Sequence, residues 1–210
     1  MRVLIISALI VLADQISKLA VKGVSLPWLG IEWKGMTYGQ SVPVLGDFFR
    51  LTYIENPGMA FGIDVGGKAF FSILSIAASI AIIAYMMRVR RAPLGFRVAL
   101  SMILGGAVGN LIDRVFYGAL YGEAALFEGK VVDFFDVDFF NISIGSYHLT
   151  RWPVFNIADA SVTVGVLLLL LFHRAIEHRA DPRAASAAPT DATVASPPSS
   201  SSSSGSAAGG

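Results

Sequence analysis

The residues in this 210-residue chain whose types and spacing could do chemistry are carboxylates and amides set into apolar surroundings. Asp14 lies with Lys18 in a stretch that begins VLIISALIVLA. Asn110, Asp113 and Arg114 end a second such stretch, and Asn156 and Asp159 begin a third. A further run, VVDFFDVDFFNISIG, interleaves Asp133, Asp136 and Asp138 with aromatic and aliphatic residues. Two carboxylates that share one proton can activate water while protonating a leaving group, because like charges a few Å apart cannot both ionise. A membrane-buried aspartyl hydrolase is therefore the economical enzymatic reading. The chain has no HExxH, GxSxG or Gly-x-Gly-Asp pattern, and His148, His173 and His178 are scattered, so no metal centre or serine triad is expected. Its lack of cysteine excludes disulfides, thiolate catalysis and iron-sulfur clusters.

The elements that must position these groups are membrane helices. Hydrophobic residues make up 54% of the chain and charged residues 15%, against about 25% charged in an average soluble domain. The mean hydropathy of +0.64 is diluted by a polar C-terminal tail. Four windows approach the length of about 20 apolar residues that a bilayer requires, at about 3–21, 69–87, 98–116 and 152–172. Arg2 followed by an apolar run also has the form of a signal peptide, but Asp14 and Lys18 stand where its cleavage site would fall, and three later spans favour a retained anchor. Arg88, Arg90, Arg91 and Arg97 crowd the connection between spans two and three; Arg2 precedes span one, and Arg174, Arg179 and Arg183 follow span four. The positive-inside rule then makes both termini cytoplasmic and puts the loops at about 22–68 and 117–151 on the extracytoplasmic face. The Ala/Ser/Pro-rich tail, 180–210, is expected to be disordered. A net charge of +1 offers nothing to nucleic acid.

At about 1.5 Å of rise per residue, this topology brings the polar groups of three helices to one depth, in the outer part of the bilayer. Asp14 with Lys18 and Asn110 with Arg114 are spaced i,i+4, and Asn156 with Asp159 i,i+3, so each helix presents one polar stripe. Ionisable groups at that depth mark a site unless they serve only as ion pairs that hold the bundle. That structural role stays open for Asp14 with Lys18 and for Asp113 with Arg114. Asp159, with no cation nearby in its own helix, favours a functional role. A proton or ion transporter is the competing class, weakened because polar groups at a single depth offer no path across. Gly105, Gly106 and Gly109 suit close helix packing. In the first loop, the alternation Phe49, Leu51, Tyr53 predicts a strand and Asn56-Pro57-Gly58 a turn. In the second, Asp136 and Asp138 are expected on an edge strand with their acids facing water.

Taken together, Asp14-Gln15-Ile16-Ser17-Lys18, Asn56-Pro57-Gly58-Met59-Ala60-Phe61-Gly62, the segment from Gly105 to Arg114, Val131-Val132-Asp133-Phe134 and Phe155-Asn156-Ile157-Ala158-Asp159 resemble the lipoprotein signal peptidase (signal peptidase II) family over about residues 3–172. The resemblance implies an inner-membrane aspartyl endopeptidase, without metal or other cofactor, that cleaves diacylglyceryl-modified prolipoproteins just before the lipidated cysteine. The dyad it implies is Asp133 and Asp159. Asn56, Gly58, Asn110, Arg114, Asn156 and Ala158 would surround substrate or dyad, with Asp14 and Lys18 in support. The fold expected is an all-α membrane protein of four transmembrane helices with a small extracytoplasmic β-rich segment between helices 1 and 2. Residues 1–179 would form the peptidase domain, its site near the extracytoplasmic face. Its partners would be prolipoprotein substrates and membrane lipid, not nucleic acid, and it would act as a monomer. The loop at 45–62 would cover the site. Two features depart from the family pattern: the segment between Arg114 and Asp133 is longer, as a lid element or a surface insertion, and Met59 is larger than expected.

Overall fold

Along the first helix, α1 (Leu4–Lys22), the buried side chains are Ser7, Asp14, Lys18 and Val21, whereas Ile5, Leu9, Leu12 and Ile16 are exposed. A water-soluble helix has the opposite arrangement. Where the surrounding solvent is hydrocarbon, apolar side chains can face outward and polar ones must turn in to find partners. A computed structural model describes residues 2–58, 67–138, 142–144, 147–149 and 151–180. Among these, three helical stretches are long and apolar enough to cross a membrane: Leu4–Lys22, Ala69–Arg88 and Leu94–Leu120, with mean hydropathies of 1.9, 2.2 and 1.5.

The second of them belongs to α2 (Gly67–Arg88). The third is compound: α3 (Leu94–Ile112) passes into a π-helical turn, Asp113–Tyr117, and a single further turn, α4 (Gly118–Leu120). The expected third span therefore begins earlier, straight after Pro93, and ends later. The last helix, α5 (Ile157–Ala180), carries a shorter apolar stretch, Ile157–Phe172. It starts well inside the expected fourth window, because Asn156 caps it and Phe155 forms an extended bridge to Phe135.

Close approach at the centre depends on residues without bulk. A Cβ on Gly106 would lie 2.3 Å from the Ala158 carbonyl oxygen of α5, and one on Gly109 would lie 2.7 Å from the Asp14 carboxylate of α1. The small-residue face of α3 thus admits α1 on one side and α5 on the other.

Among the described residues, seven strands lie outside the helices. β1 (Val24–Leu26) and β2 (Ile31–Trp33) form a hairpin, as do β6 (Ile142–Ile144) and β7 (Tyr147–Leu149). β3 (Ser41–Leu45), β4 (Phe49–Asn56) and β5 (Val131–Val137) form an antiparallel sheet in the order β3-β4-β5. The predicted strand around Phe49, Leu51 and Tyr53 is β4. The β structure is nevertheless not confined to the loop between the first two helices, since β5 comes from the second loop and pairs Ile54 with Asp133, Glu55 with Val132 and Asn56 with Val131.

The long segment after Arg114 folds back on the helix it leaves. Phe127 and Gly129 donate their backbone N–H groups to the Val115 and Arg114 carbonyls, at 3.1 and 2.9 Å. Carbonyls displaced from the α-helical pattern by the π turn are satisfied in this way. Chain contacts separate Met1–Arg174 from a second unit, Ala175–Gly210. The expected disorder of the tail concerns residues that, beyond Ala180, lie outside the described ones, as do Met59, Ala60, Phe61 and Gly62 of the covering loop.

Candidate active site

Two clusters of acids meet where α1, α3, β5 and the start of α5 converge. The first surrounds Lys18. Its fully buried ammonium lies 2.8 Å from Asp14 Oδ2 and 2.7 Å from Asp113 Oδ2, and donates to Asn110 Oδ1 at 2.9 Å. All three ammonium protons therefore have acceptors. Asp14 also accepts the Ala158 backbone N–H at 2.9 Å, and Asp113 that of Val132 at 3.2 Å. Gln15 donates to Asp113 at 2.9 Å and to the Gly109 carbonyl at 3.1 Å, and accepts from the Tyr117 hydroxyl at 3.1 Å. Asp113 thus takes its cation from Lys18 and not from its neighbour Arg114, as the sequence had allowed. Gln15 and Tyr117 are the members of this cluster not singled out from the sequence. Gln15 could have been, because it lies within the polar stripe of α1, three residues before Lys18.

The second cluster contains Asp133 and Asp159, joined by amides. Asn156 donates its side-chain N–H to Asp133 Oδ1 at 2.6 Å, to the Val132 carbonyl at 3.2 Å and to Asn110 Oδ1 at 3.1 Å. Its backbone N–H points to Asp159 Oδ2 at 3.3 Å, and the Asp159 N–H returns to Asn156 Oδ1 at 2.9 Å. This reciprocal pairing is a capping box, so the turn that starts α5 also fixes the Asp159 carboxylate. Asn110 donates to Asp159 Oδ1 at 2.7 Å. Both Asp159 oxygens therefore accept hydrogen bonds, in the first turn of a helix whose dipole favours negative charge. Asp133, on β5, is only 2% exposed. Burial, then the neighbouring Asp159 charge, push its carboxyl up to about 7, against the influence of Lys18 and hydrogen bonds from Asn156 and Asn56.

The remaining expected site residues take varied places. Asn56, at the end of β4, bonds Asp133 and accepts the Gly58 N–H at 2.9 Å. Gly58 has φ of +98°, and a Cβ there would lie 2.8 Å from the Phe71 ring, so glycine suits this turn. Ala158 is fully buried at the crossing of α3 and α5, where its backbone serves Asp14. Arg114 approaches Ser75 Oγ at 3.4 Å within electrostatic reach of Asp113, Asp159 and Asp133, while its buried Nε has no hydrogen-bond partner among the described residues. Beside Asp159 a groove of about 320 Å³ runs along α5, lined by Trp152, Phe155, Ala160, Thr163 and Val164.

Asp136 departs from the sequence expectation. Its carboxylate is buried, accepts from Thr52 at 2.7 Å, and pairs with Arg151 at 2.9 Å. β5 is covered on both faces and bridged to Phe155, so this acid ties the sheet together instead of facing water.

Fold and site define a class: a helical membrane protein with a pair of carboxylates, one buried and one partly exposed, where its bundle meets a small sheet. The model of the signal peptidase II family matches residues 6–174. The lipoprotein signal peptidase of Syntrophus aciditrophicus is 36% identical over 173 residues, covering 80% of this chain and 89% of the relative; that of Bacillus subtilis is 37% identical over 166 residues, covering 79% and 88%. A solved bacterial membrane enzyme, obtained by the in meso method at 2.3 Å resolution, superposes with a TM-score of 0.63 at 30% identity, covering 86% of this chain and 92% of the other. A second, at 1.9 Å resolution, gives 0.60 at 32% identity, covering 81% and 90%. The chain belongs to the signal peptidase II family.

Proposed function

We propose that this protein is an aspartyl endopeptidase of the bacterial cytoplasmic membrane, which removes signal peptides from diacylglyceryl-modified prolipoproteins by cleaving before the lipidated cysteine. The observation that carries this reading is the pair Asp133 and Asp159, linked through Asn156 and free of a bonded cation among the described contacts.

Asp159, with both oxygens accepting hydrogen bonds, serves as the base; Asp133, its carboxyl pushed up to about 7, carries the shared proton. Asp159 removes a proton from water as the water oxygen bonds to the scissile carbonyl carbon. Asp133 supplies its proton to the carbonyl oxygen. As the tetrahedral intermediate collapses, the C–N bond breaks, one hydroxyl returns its proton to Asp133 as the carbonyl re-forms, and the proton held by Asp159 passes to the amine of the lipidated cysteine. Asn56, Asn110 and Asn156 hold the carboxyls in place, Arg114 faces them, and Gly58 shapes the turn that follows Asn56. Asp14, Lys18 and Ala158 hold the helices that carry the site.

In the same reading the chain crosses the membrane four times, with both termini in the cytoplasm and the site near the extracytoplasmic face. The substrate's acyl chains stay in the bilayer, each buried CH2 contributing about 0.8 kcal/mol. In this reading the working unit is a monomer.

The test is gel-shift cleavage of a diacylglyceryl prolipoprotein by purified wild type, Asp133→Asn and Asp159→Asn. The expected result is processing by wild type and a loss of about 10²–10⁴-fold or more in each folded variant. A folded Asp133→Asn protein that still cleaves would remove Asp133 from the dyad. Dissipation of a proton gradient in liposomes, without cleavage, would favour the transporter.

A further inference from the structure

Buried Glu55 has no part in the chemistry above, yet it adjoins Asn56, whose amide touches Asp133. Its carboxylate accepts the Tyr53 hydroxyl at 2.7 Å and pairs with Lys130 at 3.2 Å and with the ammonium of Lys22. Lys22 also meets both oxygens of Glu123, at 2.8 and 3.0 Å, and lies 4.2 Å from the centre of the Tyr121 ring. The Tyr121 hydroxyl closes the network on the Gly23 carbonyl at 2.6 Å. Tyr121, Glu123 and Lys130 all belong to the long segment between Arg114 and Asp133 that departs from the family pattern.

This network lies where the sheet most needs support. The β4–β5 ladder shifts register between Leu51 and Ile54, so the last residues of β4 are joined to the rest through an irregularity. Side-chain anchors at Glu55 compensate for that break. Burial works against a charge on Glu55, but the bonds from Lys22, Tyr53 and Lys130 outweigh it and hold the carboxyl below its ordinary value. Lys22 follows Lys18 by one helical turn, so the same helix anchors the acid cluster through one lysine and the end of β4 through the next.

We infer that Glu55 is a positioning residue: the Lys22–Glu55–Lys130 network, extended to Glu123 of the long segment, fixes the end of β4 and so sets the Asn56 amide against Asp133. This inference deepens the proposed function and rests on Asp133 being catalytic. The long segment is then a brace for the site and not a passive insertion.

The experiment uses the full chain in detergent, a synthetic diacylglyceryl prolipoprotein peptide as probe, and the variants Glu55→Gln, Lys22→Met, Lys22→Arg and Glu123→Gln, with wild type and Asp133→Asn as references. Folded fraction is followed by thermal unfolding. Glu55→Gln and Lys22→Met are expected to lower kcat about tenfold per folded molecule with KM little changed, within the range that a slightly displaced site group costs. Glu123→Gln is expected to give a smaller loss in the same direction, and Lys22→Arg to restore most of the rate. With wild type active and Asp133→Asn inactive, full kcat in folded Glu55→Gln overturns the positioning role alone, as does a loss that only tracks the folded fraction. Cleavage by Asp133→Asn overturns the dyad reading and this inference with it.

Discussion

Two acid clusters lie side by side in this protein, made from the same kinds of residue and treated in opposite ways. Around Lys18, two carboxylates share one fully buried ammonium, and backbone and glutamine donors occupy their remaining oxygens. Around Asn156, two carboxylates are supported by neutral amides. In the first cluster one ammonium meets both carboxylates and the hydrogen-bond geometry is saturated, which joins α1 to α3 and α5. In the second, neutral amides are the bonded donors, and in the proposed function a shared proton compensates the pair. Asn110 touches both, accepting from Lys18 and donating to Asp159, so the braced cluster holds the other in register.

Beyond the dyad substitutions above, the largest effect that tests this contrast is expected from Lys18→Met. It leaves Asp14 and Asp113 buried without a cation, at a cost of about 3–5 kcal/mol. Thermal unfolding in detergent should fall sharply. A variant that retains both its melting temperature and full cleavage would show that the Lys18 cluster does not brace the bundle.

A smaller effect is expected from pH. Asp133 is pushed up to about 7 from an ordinary value of 3.8. Below the ordinary value both folded and unfolded chains hold the proton; between the two values only the folded chain does. The contribution of this group to stability is therefore present at low pH and lost as pH rises through about 7. Cleavage should also decline above about pH 7, by about tenfold per unit, as the shared proton leaves. Asp133→Asn should flatten the pH dependence of the melting temperature. An unchanged slope would place the proton elsewhere.

The smallest effect concerns Asp136, three residues from Asp133 on the same strand. Arg151→Met removes the partly exposed cation from a buried carboxylate that keeps its Thr52 hydrogen bond, and should cost about 1–3 kcal/mol of stability, with kcat unchanged. A tenfold loss of kcat in that folded variant would erase the distinction between the two acids.

The sequence makes much of this arrangement legible because a bilayer allows few solutions. A charge inside an apolar helix needs a partner, so Asp14, Lys18, Asn110 and Asp159 could be brought to one depth from helical rise and sidedness alone, and the contacts of Lys18 and Asn110 join them. Asp133 was not legible in the same way. It stands on a strand among three interleaved acids, and only the family resemblance assigned it, and not Asp136 or Asp138, to the dyad. What distinguishes it spatially is long-range pairing: Ile54 opposite Asp133 in the sheet, and Asn156 beneath it from the start of α5. The partner of Asp113 was left open by the sequence for a related reason. Adjacent residues on a helix point in different directions, so Arg114 turns away and Lys18 of another helix takes its place.

By itself, then, the sequence determined three of the four expected apolar spans and the polar groups that meet between the helices, because each follows from local periodicity and the cost of burying charge. Tertiary structure alone decided which acid takes the ammonium, which two carboxylates meet around Asn156, and how the long segment after Arg114 returns to the helix it leaves. Those outcomes depend on contacts between residues far apart in the chain, whose geometry no local pattern specifies.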